Sequence, residues 1–191
     1  MVASFDQKKS LVLLMVLLFL FVSSSYAKFS MMVTKSEIDT ICTEENMNSS
    51  FCFDFFKTTP EVARLDYSNL IKYVINYQTR YISDTVKLFK LSGGYSKDIN
   101  STYHVCVEVY ELAINKHDAS LRYLAAKDYQ SLNIVVSGTM TDVRTCIDED
   151  LSIMKPVPQL FMTRSDAIKD LSLVILVVLE CFIRKDPELC P

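Results

Sequence analysis

The residues of this chain whose types could do chemistry are six cysteines, two histidines and one run of acids. They are Cys42, Cys52, Cys106, Cys146, Cys181 and Cys190; His104 and His117; and Asp148-Glu149-Asp150. A Cys–His nucleophile needs a free thiolate, and Cys106, two residues after His104, is better explained as a disulfide partner. A metal centre needs closely spaced sulfur and nitrogen ligands; with no C-x-x-C and only two histidines, the sequence offers no metal site. Three adjacent carboxylates on a helix point in different directions, so they read as a solvated face and not as an acid/base pair. His117 falls on an apolar stripe. A core histidine with its hydrogen bonds satisfied is the first reading there, and a group titrating in a mildly acidic compartment is the second. G-x-S-x-G, H-E-x-x-H, G-x-G-x-x-G and P-loop patterns are all absent from the sequence. These residues give no catalytic constellation and call for no cofactor.

The N-terminus sets the compartment in which the cysteines are read. Lys8 and Lys9 precede an unbroken apolar run from Leu11 to Val22, followed by Ser23-Ser24-Ser25-Tyr26-Ala27. A basic start, a short apolar stretch and a small-residue exit make a secretory signal peptide over residues 1–27. The run is too short for the ~20 apolar residues of a membrane span, so no span is expected after cleavage. Loss of Asp6, Lys8 and Lys9 takes the formal charge from −3 to −4. An acidic chain of this kind has no bulk electrostatic reason to bind nucleic acid.

In an oxidising route, an even number of cysteines reads as disulfides. Cys42 and Cys52, ten apart, suit a bridge closing a short helical hairpin, and Cys106 and Cys146 a bridge between two long helices. Loop-closure entropy makes these worth roughly 2.7 and about 4 kcal/mol before any native strain. Six cysteines permit 15 connectivities and spacing alone does not choose among them; Cys181 and Cys190 pair with each other or stay free. Asn48-Ser49-Ser50 and Asn100-Ser101-Thr102 are N-glycosylation sequons, expected on the surface.

The elements that must position these residues are helical. With 191 residues, half of them apolar, the chain can bury one core, and 3 Gly and 5 Pro are too few for the turns of a many-stranded sheet. Apolar residues recur with helical period in four long stretches. The first runs from about Leu65 to Leu91 and carries Leu70, Ile71, Val74, Ile75, Ile82, Val86 and Phe89, ending at the Gly93-Gly94 turn. The second runs from about Ser101 to Ala125, with Val105, Cys106, Tyr110 and Ala113 in its stripe. The third starts at the N-cap Asp128 and stops before Pro156 and Pro158. The fourth, about Arg164 to Arg184, is apolar nearly all round from Leu171 to Leu179 and belongs in the middle of a bundle. Ahead of them, Thr34 to Phe56 holds two short helical pieces around Cys42 and Cys52. The expected fold is all-α: an antiparallel up-and-down four-helix bundle (64–185) preceded by an N-terminal helical hairpin (34–60), stapled by disulfides, within a mature domain of 28–191.

The cysteine spacings, together with Tyr103-x-x-Cys106-x-x-x-Tyr110-x-x-Ala113 and Asp128-Tyr129-Gln130-Ser131-Leu132-Asn133-Ile134 … Thr145-Cys146-x-Asp148, resemble the plant invertase and pectin methylesterase inhibitors from about Ser36 to Ile183. The resemblance implies bridges Cys42–Cys52 and Cys106–Cys146, and leaves Cys181 and Cys190 outside the four-cysteine pattern. It implies a secreted, apoplastic, non-enzymatic inhibitor without cofactor, bound one-to-one across the pectin cleft of pectin methylesterase. Thr145, Asp148 and Glu108 occupy positions that contact the enzyme in the family. Inhibitors of acid invertase carry Pro-Lys-Phe after the second bundle helix, where this chain reads Asp128-Tyr129-Gln130-Ser131. The esterase is therefore the expected partner, with acid invertase, or a cell-wall bundle inhibiting neither, as the alternatives. Leu112 and Asn115 stand where the family has acids, and His117, Ser120 and Gly138-Thr139-Met140 also depart from its pattern.

Overall fold

In a computed structural model of the protein, the described residues are 12–17, 32–92, 97–150, 159–185 and 190. Cleavage after Ala27, the Gly93-Gly94 turn and the breaks at Pro156 and Pro158 lie outside them. Residues 12–17 form an exposed helical segment, and no helix among the described residues is long and apolar enough to cross a membrane.

Thr34 begins the hairpin with a reciprocal cap. Its backbone N–H donates to Glu37 Oε2 at 2.6 Å and its hydroxyl accepts from the Glu37 N–H at 3.3 Å, starting α1 (Lys35–Cys42). The Tyr67 hydroxyl donates to the other oxygen of Glu37 and so ties the hairpin to the bundle. Burial pushes the Glu37 carboxyl up, but the bonds from Thr34 and Tyr67 outweigh it and hold it below its ordinary value. Burial and the same carboxylate raise Tyr67 to about 12. Asn48 caps α2 (Ser49–Thr58) by accepting from the Phe51 N–H at 3.2 Å. The Cys42–Cys52 disulfide closes the pair. Phe55 then packs on Tyr77, 5.2 Å between ring centres, seating α2 on the first long helix.

Four long helices follow: α3 (Tyr67–Ser92), α4 (Lys97–Asn115), α6 (Tyr129–Thr145) and α7 (Gln159–Val177), with the short α5 (His117–Ala126) between the second and third. α3 packs on α4 and α7, and α6 on α4 and α7, which closes a ring of four. Paired contacts fix the directions. Gln78 of α3 meets Ser172 of α7 while Thr85 meets Arg164; Cys106 of α4 joins Cys146 while Lys116 reaches Asp142 of α6. In both pairs one number rises as the other falls, so α3 runs antiparallel to α7 and α4 to α6. Among the described residues the sole extended pairing is an isolated bridge, Met32 with Asp66.

The first helix's stripe, Leu70, Ile71, Val74, Ile75, Ile82, Val86 and Phe89, is buried throughout, as are Leu171, Val174, Ile175, Val178 and Leu179 of the last. Gln78 is buried between them, where its amide donates to Ile168 O at 2.9 Å and to Ser172 Oγ at 2.6 Å.

Three expectations are corrected. The second helix is not continuous from Ser101 to Ala125: it starts at Lys97 and breaks at Lys116. There the Lys116 N–H bonds the Ala113 carbonyl, a tighter turn, and the Ser120 hydroxyl takes up the Lys116 carbonyl at 2.9 Å. Val105, placed in the inner stripe, is 38% exposed. The last helix begins at Gln159, not near Arg164, because Phe161 stacks on Phe89 with ring centres 4.1 Å apart and draws its first turn onto the core. It then widens into a π-helical segment, Val178–Arg184, as α6 does over Cys146–Asp150. Within the former, Glu180 is buried, accepting from Asn133 Nδ2 at 2.7 Å and pairing with Arg184 at 2.8 Å.

His117 sits where α5 begins. The Asn76 amide nitrogen donates to Lys72 O at 2.9 Å, which turns Asn76 Oδ1 toward His117 Nε2, also at 2.9 Å. His117 Nδ1 lies 2.9 Å from Asp118 Oδ1. The ring is half-buried with both nitrogens engaged, and it clamps the break in the second helix onto α3.

Candidate functional site

Three disulfides order the surface: Cys42–Cys52, Cys106–Cys146 and Cys181–Cys190. The second joins α4 to the end of α6 with its Cα atoms 4.9 Å apart. Thr145 precedes Cys146, Asp148 follows it by two residues, and Glu108 follows Cys106 by two, so one covalent bond fixes the backbone beside all three.

Thr145 and Asp148 share a surface groove of about 430 Å³ between α6 and α7, lined also by Met140, Thr141, Arg144 and Lys169. Its polar groups are held in place. Arg144 Nε donates to Asp148 Oδ2 at 2.6 Å, one helical turn on, and this carboxylate raises the Arg144 pKa above its ordinary value. The Thr145 hydroxyl donates to the Thr141 carbonyl at 2.9 Å, leaving its lone pairs available to a partner. Lys169 donates to the Asn46 carbonyl at 3.1 Å and lies 3.5 Å from Asp170 Oδ1. Asp170 is buried and accepts from the Asn48 N–H at 3.3 Å. Desolvation raises its pKa, with the Asn48 bond and Lys169 opposing.

Glu108 is not in this groove. It lies on α4, mostly exposed, with His104 Nδ1 3.4 Å away. Leu112, one turn further along α4, is 56% exposed. Sequence reasoning missed Arg144 and Lys169. Arg144 had a readable signal, an i,i+4 pairing with Asp148. Lys169 had none, since its place in the groove comes from the packing of α7 on α6. No group of three or more His, Cys, Asp or Glu able to hold a metal occurs among the described residues. The groove can hold hydrogen bonds and opposite charges against another surface; it presents no nucleophile poised beside a base.

The chain matches the Plant invertase/pectin methylesterase inhibitor family over residues 36–177. It is 30% identical to Pectinesterase inhibitor 1 of Arabidopsis thaliana over 161 residues, covering 83% of this chain and 86% of the relative. It is 27% identical to a Pectinesterase inhibitor of Actinidia deliciosa, over 73% of this chain and 76% of that one. The crystal structure of mutant form A of a pectin methylesterase inhibitor from Arabidopsis superposes with a TM-score of 0.66 at 28% identity, over 75% of this chain and 95% of that one. The family is one of inhibitors, not of enzymes. Most of the chain and its helical fold are thus shared with these inhibitors, and it belongs to the plant invertase/pectin methylesterase inhibitor family.

Proposed function

We propose that this protein is a secreted inhibitor of pectin methylesterase that binds the enzyme one-to-one in the cell wall and occludes its pectin-binding cleft. The observation that carries this is that the relatives and the solved neighbour described above are pectinesterase inhibitors, similar over most of both chains. The leader is residues 1–27 and the mature domain starts at Lys28. Occlusion needs a surface that gives up little freedom on binding, and a bundle closed by disulfides at each end of its chain and across α4 and α6 offers one. In this reading Thr145 and Asp148 bind the cleft rim through the α6–α7 groove, and Glu108 adds a charge contact from α4.

An acid invertase is the less favoured target. The position where invertase inhibitors carry Pro-Lys-Phe is used here as a helix cap, with Asp128 accepting from the Ser131 N–H at 3.1 Å. The test is a titration of the secreted, oxidised protein against a plant pectin methylesterase and an acid invertase in parallel, between pH 5 and 7. Loss of esterase activity near one equivalent, with invertase untouched, is the expected result. Loss of invertase activity alone reverses the target, and a folded sample that leaves both enzymes active overturns the proposal.

A further inference from the structure

The turn before α2 is linked to the groove through Lys169 and its neighbour Asp170. Lys169 lines the groove, and its ammonium holds the Asn46 carbonyl at 3.1 Å. That ammonium lies 3.5 Å from Asp170 Oδ1, the same oxygen that accepts the Asn48 N–H at 3.3 Å. Asn48 thus stands two contacts from a groove-lining charge, and its backbone is fixed there by a buried carboxylate. It is exposed, and it opens the sequon Asn48-Ser49-Ser50. Its side-chain oxygen caps α2, and among the described residues its amide nitrogen makes no hydrogen bond. The cap and a modification use different atoms of the same amide, so one does not exclude the other.

We infer that Asn48 carries an N-linked glycan that stands at the rim of the α6–α7 groove and limits access of the partner to Thr145 and Asp148. In the transfer, the anomeric carbon of a lipid-pyrophosphate-linked oligosaccharide forms a bond to Asn48 Nδ2. Its bond to the pyrophosphate oxygen breaks, the amide gives up one proton, and the lipid pyrophosphate leaves. The product is bulky and hydrated, and a partner seated over Lys169 must displace or confine it, at a cost in ordering and desolvation. The Lys169–Asn46 and Asp170–Asn48 contacts keep the attachment point from swinging away from the groove. Occupancy of this sequon then sets inhibitory strength without changing any contact residue. The inference rests on the reading that pectin methylesterase docks at this groove.

Ser50→Ala removes the sequon and keeps the Asn48 cap; Ser50 is exposed in the first turn of α2, where alanine is well tolerated. Wild-type and S50A full-length proteins secreted from plant cells are compared by peptide mass spectrometry and by titration against pectin methylesterase. Enzymatic deglycosylation of both folded proteins also removes any glycan at the second sequon, Asn100-Ser101-Thr102, and so separates its effect from that of Asn48. The expected result is a glycan on the Asn48 peptide, at least tenfold tighter inhibition by S50A than by wild type, and equal inhibition by the two proteins once both are deglycosylated. A bare Asn48 peptide, or inhibition by S50A equal to or weaker than that by wild type, overturns the inference while leaving the inhibitor reading intact. If neither form inhibits the esterase although Asn48 is glycosylated, the inhibitor reading itself fails and this inference falls with it.

Discussion

Cys106 of α4 and Cys146, where α6 passes into its wider last turn, are covalently joined, and the residues beside them are the ones proposed above for the partner interface. The bond closes a 40-residue loop, which carries about 4 kcal/mol of chain entropy. The double replacement of Cys106 and Cys146 by Ser is expected to cost about 2–5 kcal/mol. For a chain of this size that is a fall in Tm of about 5–15 °C. Both sulfurs are fully buried beside Tyr110 and Val143, so the loss includes packing as well as entropy. Calorimetry of the oxidised wild type and the double variant measures it. A Tm change under about 2 °C would show that the bundle does not depend on this bond.

Asp170 links pH to stability. Its carboxyl is buried and its pKa is raised, so the folded state holds the proton more tightly than the unfolded chain does. The sign follows from linkage: the unfolded side chain titrates near 3.8 and the folded one above it, so stability drops as pH rises through that interval and is flat beyond it. Asp170→Asn keeps an acceptor for the Asn48 N–H and removes the titration. The difference in Tm between D170N and wild type should therefore shift in favour of D170N as pH goes from 3 to 6. Thermal unfolding at both pH values checks this, and a difference that shifts the other way rules it out.

The stripes of α3 and α7 were legible because burial imposes a period that the sequence displays directly: every apolar position singled out between Leu70 and Phe89 is in the core. The break at Lys116 was not. It depends on Ser120 returning a hydroxyl to the chain and on His117 finding Asn76, 41 residues away, and no local pattern encodes that partner. The early start of α7 was hidden for the same reason, since Phe161 is held by Phe89 and not by its own neighbours. In the groove, Thr145 and Asp148 came from resemblance to a family motif. Lys169 came from tertiary structure alone, and with it the contact that ties the hairpin to the groove.

Gly138 and Lys116 are coupled across α5 and α6. A Cβ on Gly138 would lie 2.9 Å from Lys116 Nζ, whose ammonium pairs with Asp142 at 2.7 Å. Replacing a mid-helix glycine by alanine gains about 0.5–1 kcal/mol. Here the ammonium at the end of a flexible stem must move aside and weaken a partly buried ion pair. In wild type the two effects nearly cancel, so Gly138→Ala should change stability by less than about 0.5 kcal/mol. In a Lys116→Ala background the obstacle is gone, and the same substitution should stabilise by the full ~0.5–1 kcal/mol. A double-mutant cycle in urea measures the coupling; equal effects in both backgrounds would show that the close approach has no energetic consequence.

Asp148 separates binding from folding. Its contact with Arg144 is an exposed i,i+4 pair, with side chains 50% and 60% exposed, and pairs of this kind are worth about 0–1 kcal/mol to stability. Asp148→Ala is therefore expected to leave Tm within about 4 °C of wild type. If the groove docks on the esterase, the same substitution removes an acceptor at the interface and leaves Arg144 free to swing into it. The expected consequence is weaker inhibition by at least tenfold, or about 1.4 kcal/mol of binding free energy. Thr145→Val, close in shape but without the hydroxyl, should weaken inhibition by a smaller factor, because a neutral hydrogen bond is worth less than one to a charge. Glu108→Gln tests the α4 face independently: its side chain is outside the groove, so its effect should add to that of D148A and not overlap it. Titration of all three variants against one pectin methylesterase preparation, with Tm measured on the same samples, provides the comparison. Wild-type potency for D148A and T145V would place the docking surface away from the α6–α7 groove.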